Sequence, residues 1–128
     1  MDEFLRLENR RTGEILRMRR VHDAQGRIVL ILEGTLPPGA DGPPLHVHIQ
    51  EHEEGVVKAG TLSAVVGAEK IIVPTGEAVT LPAGIAHRWW NAGEDLLEFN
   101  GQVVPVVDLD RYLQAVFAVL NEIGRAHV

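Results

Sequence analysis

Glycines at positions 60, 67, 76, 84 and 93 cut the stretch from Leu45 to Gln102 into short segments, and this most restricts what the chain can fold into. The segments between them read as strands: Leu45 to Ile49, Glu54 to Ala59, Thr61 to Val66, Lys70 to Val73, Ala78 to Leu81, His87 to Trp90 and Leu96 to Gln102. Many short strands separated by glycine-bearing turns imply an all-β sandwich or barrel.

The residues before this stretch continue the pattern. Phe4 to Leu7 can form a short strand, and Glu14 to Val21 alternates, with Leu16 and Met18 on one face and Arg17 and Arg19 on the other. Asp23 to Gly26 reads as a hairpin turn with glycine at a positive-φ position, and Arg27 to Leu36 as a buried strand. Pro37 to Pro44 holds four prolines and two glycines, so it is a loop. After Pro105 the period changes. Leu109, Leu113, Val116, Phe117, Leu120 and Ile123 form one stripe at helical spacing, with Asp108 placed to cap the helix and Gly124 to end it. The stripe needs cover from the barrel wall or a second subunit.

With 128 residues the chain is expected to be one domain, its amino-terminal strands over 4–36, a barrel over 37–104 and a helix over 108–123. It has no cysteine, which excludes disulfides, thiolate metal sites and a cysteine nucleophile. The opening residues lack a secretory pattern and no apolar run is long enough to span a bilayer, so a cytoplasmic protein without membrane contact is expected. The formal charge of −6 argues against nucleic acid as a partner. Seven of the twelve basic residues precede residue 28 but interleave with Glu8, Glu14 and Asp23, the pattern of a solvated outer sheet face.

Chemistry concentrates in His46-Val47-His48-Ile49-Gln50-Glu51-His52-Glu53. In extended backbone, His46 and His48 project to the same side, with Val47 opposite. A carboxylate further along and His87 from a distant strand could join them. Three imidazoles and a carboxylate make a cage for a first-row divalent metal with open positions.

The spacing resembles the cupin superfamily, in particular its small single-domain members. The first cupin motif, G-x5-H-x-H-x(3,4)-E-x6-G, is met from its first histidine onward by His46, His48, Glu53 and Gly60; its opening glycine falls on Ala40, between Gly39 and Gly42. The second, G-x5-P-x-G-x2-H-x3-N, is met by Gly76, Pro82, Gly84, His87 and Asn91. The resemblance implies a jelly-roll barrel, the double-stranded β-helix, with one carboxy-terminal helix, and metal ligation by His46, His48, Glu53 and His87. Glu53 keeps the motif's spacing to Gly60, which Glu54 does not. His52 then faces outward, while His22 and His127 lie in a turn and at the carboxyl end.

Three buried imidazoles without a metal would leave unpaired polar groups, each costing about 1–3 kcal/mol. The nitrogen-rich set suits iron, manganese, nickel, cobalt, copper or zinc better than magnesium or calcium. Neutral imidazoles are required, so metal should be lost well below about pH 6.5. By resemblance the activity is that of a quercetinase-like dioxygenase on a small oxygenated molecule, with Glu53 as general base. A non-enzymatic binding or sensing module, and a metal-dependent isomerase, lyase or decarboxylase, are the alternatives. Trp89 and Gly55 are expected to face inward and line the substrate pocket, Gly55 either leaving a recess beside the metal or forming a glycine bulge that merely adjusts the strand. Trp90 is expected to pack outward against the helix or a partner, and Asn91 to hold a turn. Open sheet edges and the amphipathic helix together suggest a homodimer.

Overall fold

The computed structural model describes residues 4–126. Nine strands and one helix follow in order: β1 (Leu5–Glu8), β2 (Ile15–His22), β3 (Ile28–Leu36), β4 (His52–Ala59), β5 (Thr61–Val66), β6 (Glu69–Pro74), β7 (Ala78–Leu81), β8 (His87–Trp90), β9 (Leu97–Val104) and α1 (Leu109–Ala126). A six-stranded sheet of order β1-β2-β3-β9-β4-β7 faces a three-stranded sheet of order β6-β5-β8, and every pairing is antiparallel. This is the jelly-roll with a carboxy-terminal helix.

Alternation explains the packing. Leu16, Met18, Leu30, Leu32, Val57, Leu62, Ala64, Phe99 and Val103 point between the sheets and join one apolar cluster. The helix adds Leu109, Leu113 and Phe117 to that same cluster, so the first part of its stripe is covered from within the chain, while Ile123 at its end stays exposed. Its ends are tied to the amino-terminal strands. Arg20 of β2 grips Asp110 with Nε–Oδ2 and Nη2–Oδ1 distances of 2.8 and 2.9 Å, and the Asn121 amide donates to the Glu8 carbonyl at 2.9 Å. Arg6, Arg17 and Arg27 pair with Glu8, Glu33 and Asp23 on the outer surface.

Several expectations need correction. Leu45 to Ile49 is not a strand. Residues 39–48 do run antiparallel along the edge of β8, through Gly39–Asn91, Gly42–Trp89 and His46–His87 backbone hydrogen bonds. Pro43 and Pro44 fall between the last two of these contacts; neither has an N–H to donate, so the ladder breaks there into isolated bridges. Gly124 does not end the helix, which continues to Ala126. His22 is the last residue of β2 rather than part of a turn, and His127 lies outside the described residues. Trp90 packs under the Arg88 guanidinium, 4.3 Å from its ring centroid, and near Lys70, not against the helix. Glu14, expected on the solvated face, is fully buried. Among the described residues no helix is long and apolar enough to cross a membrane.

Candidate metal centre

The two histidines of the loop and the histidine of β8 meet because the loop is stitched to that strand. His46 and His87 exchange backbone hydrogen bonds at 3.1 and 2.8 Å, and Gly84 N–H donates to the His48 carbonyl at 2.6 Å. Gly84 has φ +80°, a left-handed conformation that glycine accepts readily, and it turns the chain from Pro82 into β8. His46 and His48 are buried while Val47 between them is 46% exposed, so alternation holds even without a regular strand. Asn91 fixes the far end of β8, its side-chain amide donating to the Leu36 and Asp95 carbonyls and its oxygen accepting from Gly93 N–H.

One ring nitrogen from each of His46, His48 and His87 falls in a set whose atoms all lie within 4.8 Å of one another. The orientation is specific. Nδ1 of His46 donates to the Pro44 carbonyl at 2.7 Å and Nδ1 of His87 to the Ile85 carbonyl at 3.3 Å. In those two rings Nε2 then carries the lone pair, and the Nε2 atoms of all three histidines are buried with no hydrogen-bond partner. Three converging, orphaned ring nitrogens fit a divalent transition metal and would otherwise be an unrelieved penalty.

Burial holds the His48 and His87 imidazoles down at about 4, helped by repulsion from His46 at both and from His48 at His87; burial also lowers His46. The trio therefore stays neutral to a more acidic pH than the free-imidazole value implies.

Glu53 adjoins the trio rather than belonging to the same tight set. Its Oε1 is 3.7 Å from Nε2 of His48, and burial, reinforced by the charge of Glu51, raises its pKa to about 7. His52 is partly exposed beside Glu54.

Trp89 lies inside, its ring 6.0 Å from His46 and 6.3 Å from His87. Gly55 also faces inward, and its pairing with Val79 and Gly101 is regular; the bulge of β4 lies between Val57 and Ala59 instead. A cavity of about 30 Å³ adjoins Gly55, Glu53 and Trp89. It is far smaller than the cleft of about 370 Å³ beside His48, lined by Val47, His48, Ile49, Glu51, Val107 and Tyr112.

Four residues of the site's surroundings escaped sequence reasoning. Tyr112 of the helix brings its ring 5.6 Å from that of His46. Glu51 accepts from the amides of Val107 and Leu109. Gly101 faces Gly55 across β4 and β9. Glu14 sits behind Trp89; its carboxyl lies toward the indole N–H but completes no hydrogen bond of proper geometry, and burial pushes it up to about 8. Only Glu51 had a signal, its position three residues after His48.

A model of the cupin domain matches residues 32–104. Oxidoreductase iacF of Pestalotiopsis fici is 37% identical over 83 residues, covering 62% of this chain and 40% of that protein, so the match spans about two fifths of the relative's length. Among solved structures, KdgF from Halomonas sp. superposes with a TM-score of 0.61 at 18% identity, covering 76% of this chain and 84% of that one. A predicted oxalate decarboxylase from Thermotoga maritima gives a TM-score of 0.59 at 21% identity, covering 82% and 94%. With the domain model spanning more than half of the sequence, both motifs in order and the jelly-roll in place, the chain belongs to the cupin family.

Proposed function

We propose that this cupin is a metal-dependent oxidoreductase of the dioxygenase kind, acting on a small oxygenated organic molecule. The observation that supports it most is the convergence of three buried, unpartnered Nε2 atoms beside a buried carboxylate, with His48 also lining an organic-sized cleft. The oxidoreductase name of the fungal relative agrees with it. His46, His48 and His87 would hold the metal, with Glu53 as the adjacent anionic ligand. Iron, manganese, nickel, cobalt, copper and zinc all suit the donor set, and the bound ion would supply a Lewis-acid and redox centre.

The remaining roles fall to the chain itself. The cleft at Val47, Ile49, Val107 and Tyr112 offers apolar walls to the carbon skeleton of a substrate whose oxygens face the histidines. Glu53 lines the inner cavity rather than the outer cleft, and as the buried carboxylate beside His48 it would accept a proton from a substrate hydroxyl held at the histidines. The 30 Å³ at Gly55 and Trp89 is too small for a flavonol or diketone, so the substrate is assigned to the outer cleft. We also infer a homodimer, because the edge strand β6 exposes Ile72 and β7 leaves an open edge.

Oxygen uptake across a flavonol and diketone panel, with iron, manganese or nickel loaded in turn, tests the reading. Glu53→Gln should abolish turnover while largely sparing metal content; equal turnover would remove the base role. Tight ligand binding with no oxygen consumption under any metal would identify a sensing module instead.

A further inference from the structure

We infer that the cavity beside Gly55 is a binding site for a small uncharged diatomic, dioxygen in the working protein. Its origin lies in two facing glycines. Gly55 of β4 and Gly101 of β9 are register partners, and both occupy inward positions of their strands. Neither has a positive φ; a Cβ at Gly101 would press on the Glu54 backbone carbonyl at 3.1 Å, whereas at Gly55 the backbone does not call for glycine. A Cβ at Gly55 would meet only the Asn100 carbonyl at 3.4 Å and Val79 Cγ1 at 3.6 Å, which are ordinary contacts. What glycine contributes here is missing side-chain volume, twice over, at one spot in the barrel wall. Gly34 shapes the same region. A Cβ there would run into the Phe99 ring, so its absence lets Phe99 lie where it forms part of the cavity lining.

Size and polarity select the occupant. The space of about 30 Å³ corresponds to roughly two or three water-sized spheres of ~10–15 Å³ each. Leu62, Ala64, Val79, Leu81, Trp89 and Phe99 line it, all apolar in their facing surface. A resident water needs 2–4 polar partners. Among the lining residues Glu53 alone offers an inward-facing side-chain oxygen, whereas the outer cleft is open to solvent. The site thus offers water few partners, lying between apolar walls and beside the carboxylate that adjoins the histidines. An apolar diatomic gains contacts there and loses no hydrogen bonds on entry. The inference rests on the oxygenase reading only in naming dioxygen as the working gas.

Xenon is the probe, used on crystals of the wild-type protein with metal present and with metal removed. Xenon density between Gly55, Ala64, Val79 and Trp89 in both forms is the expected result. Gly55→Val should remove it by filling the space, and Ala64→Val, approaching from the opposite sheet, should do the same if the first variant folds poorly. In the loaded protein the folded variant should raise the KM for dioxygen while metal content and affinity for an organic ligand stay unchanged. Ordered water in the cavity, or xenon absent from it in the wild type, overturns the inference even if oxygen is consumed. Xenon bound at this site with no oxygen consumption under any metal leaves the cavity standing as a diatomic site and rejects the oxygenase reading.

Discussion

Glu51 caps a helix that begins 58 residues further along the chain: its Oε2 accepts the amide hydrogens of Leu109 at 3.2 Å and Val107 at 2.9 Å. The other carboxylate oxygen, Oε1, stands 3.9 Å from Nδ1 of His48. One side chain thereby joins the histidine loop to the start of α1, a position that local spacing assigns to Asp108 instead. Glu51→Ala should cost about 1–2 kcal/mol in urea unfolding, from the amides it leaves unpaired. Metal affinity should fall in the same variant because the loop bearing His48 loses its anchor, and Glu51→Gln should restore most of both. Unchanged metal affinity in Glu51→Ala would show that the helix and the metal loop are mechanically independent.

Metal binding should stabilise the fold through the histidine trio. At free metal about 100 times Kd, the wild type should gain about 2.7 kcal/mol against unfolding. His48→Ala and His87→Ala should lose this gain together with stoichiometric metal in elemental analysis. Retention of one ion per chain by either variant would place the ion elsewhere.

Stability should also depend on pH through Glu14. Its folded pKa of about 8 lies above the ordinary 4.5, so between those values the folded chain keeps a proton that the unfolded chain releases. The contribution is fully present below pH 4.5 and is lost as pH rises through 8, to the extent of a few kcal/mol on an order-of-magnitude scale. Denaturation midpoints measured from pH 7 to 9, above the range in which the lowered histidines and Glu53 titrate, should fall, and Glu14→Gln should flatten that slope. An equal slope in the variant would mean that Glu14 ionises against a compensating charge.

Tyr112 tests where the substrate sits. Tyr112→Ala removes the ring at 5.6 Å from His46 and should weaken binding of an aromatic ligand by about 2–10-fold, with metal content unchanged. Tyr112→Phe should bind such a ligand nearly as the wild type does. Equal affinity in the alanine variant would exclude the outer cleft as the binding site.

Most strand positions (Leu45 to Ile49 excepted), the common face of Leu16 and Met18, the inward place of Trp89, and the two motifs holding the histidines were legible in the amino-acid order. Alternation and turn chemistry act over a few residues, so they survive without knowledge of neighbours. Even His46 and His48 keep their common face where Pro43 and Pro44 break the ladder. Tertiary structure decided the rest. That Gly55 meets another glycine, that Glu14 is sealed behind Trp89, and that Glu51 rather than Asp108 caps the helix all depend on which distant segments come to lie beside them. Local sequence prescribes the side of the backbone on which a group emerges, but empty volume, burial and charge environment are properties of everything else that packs there.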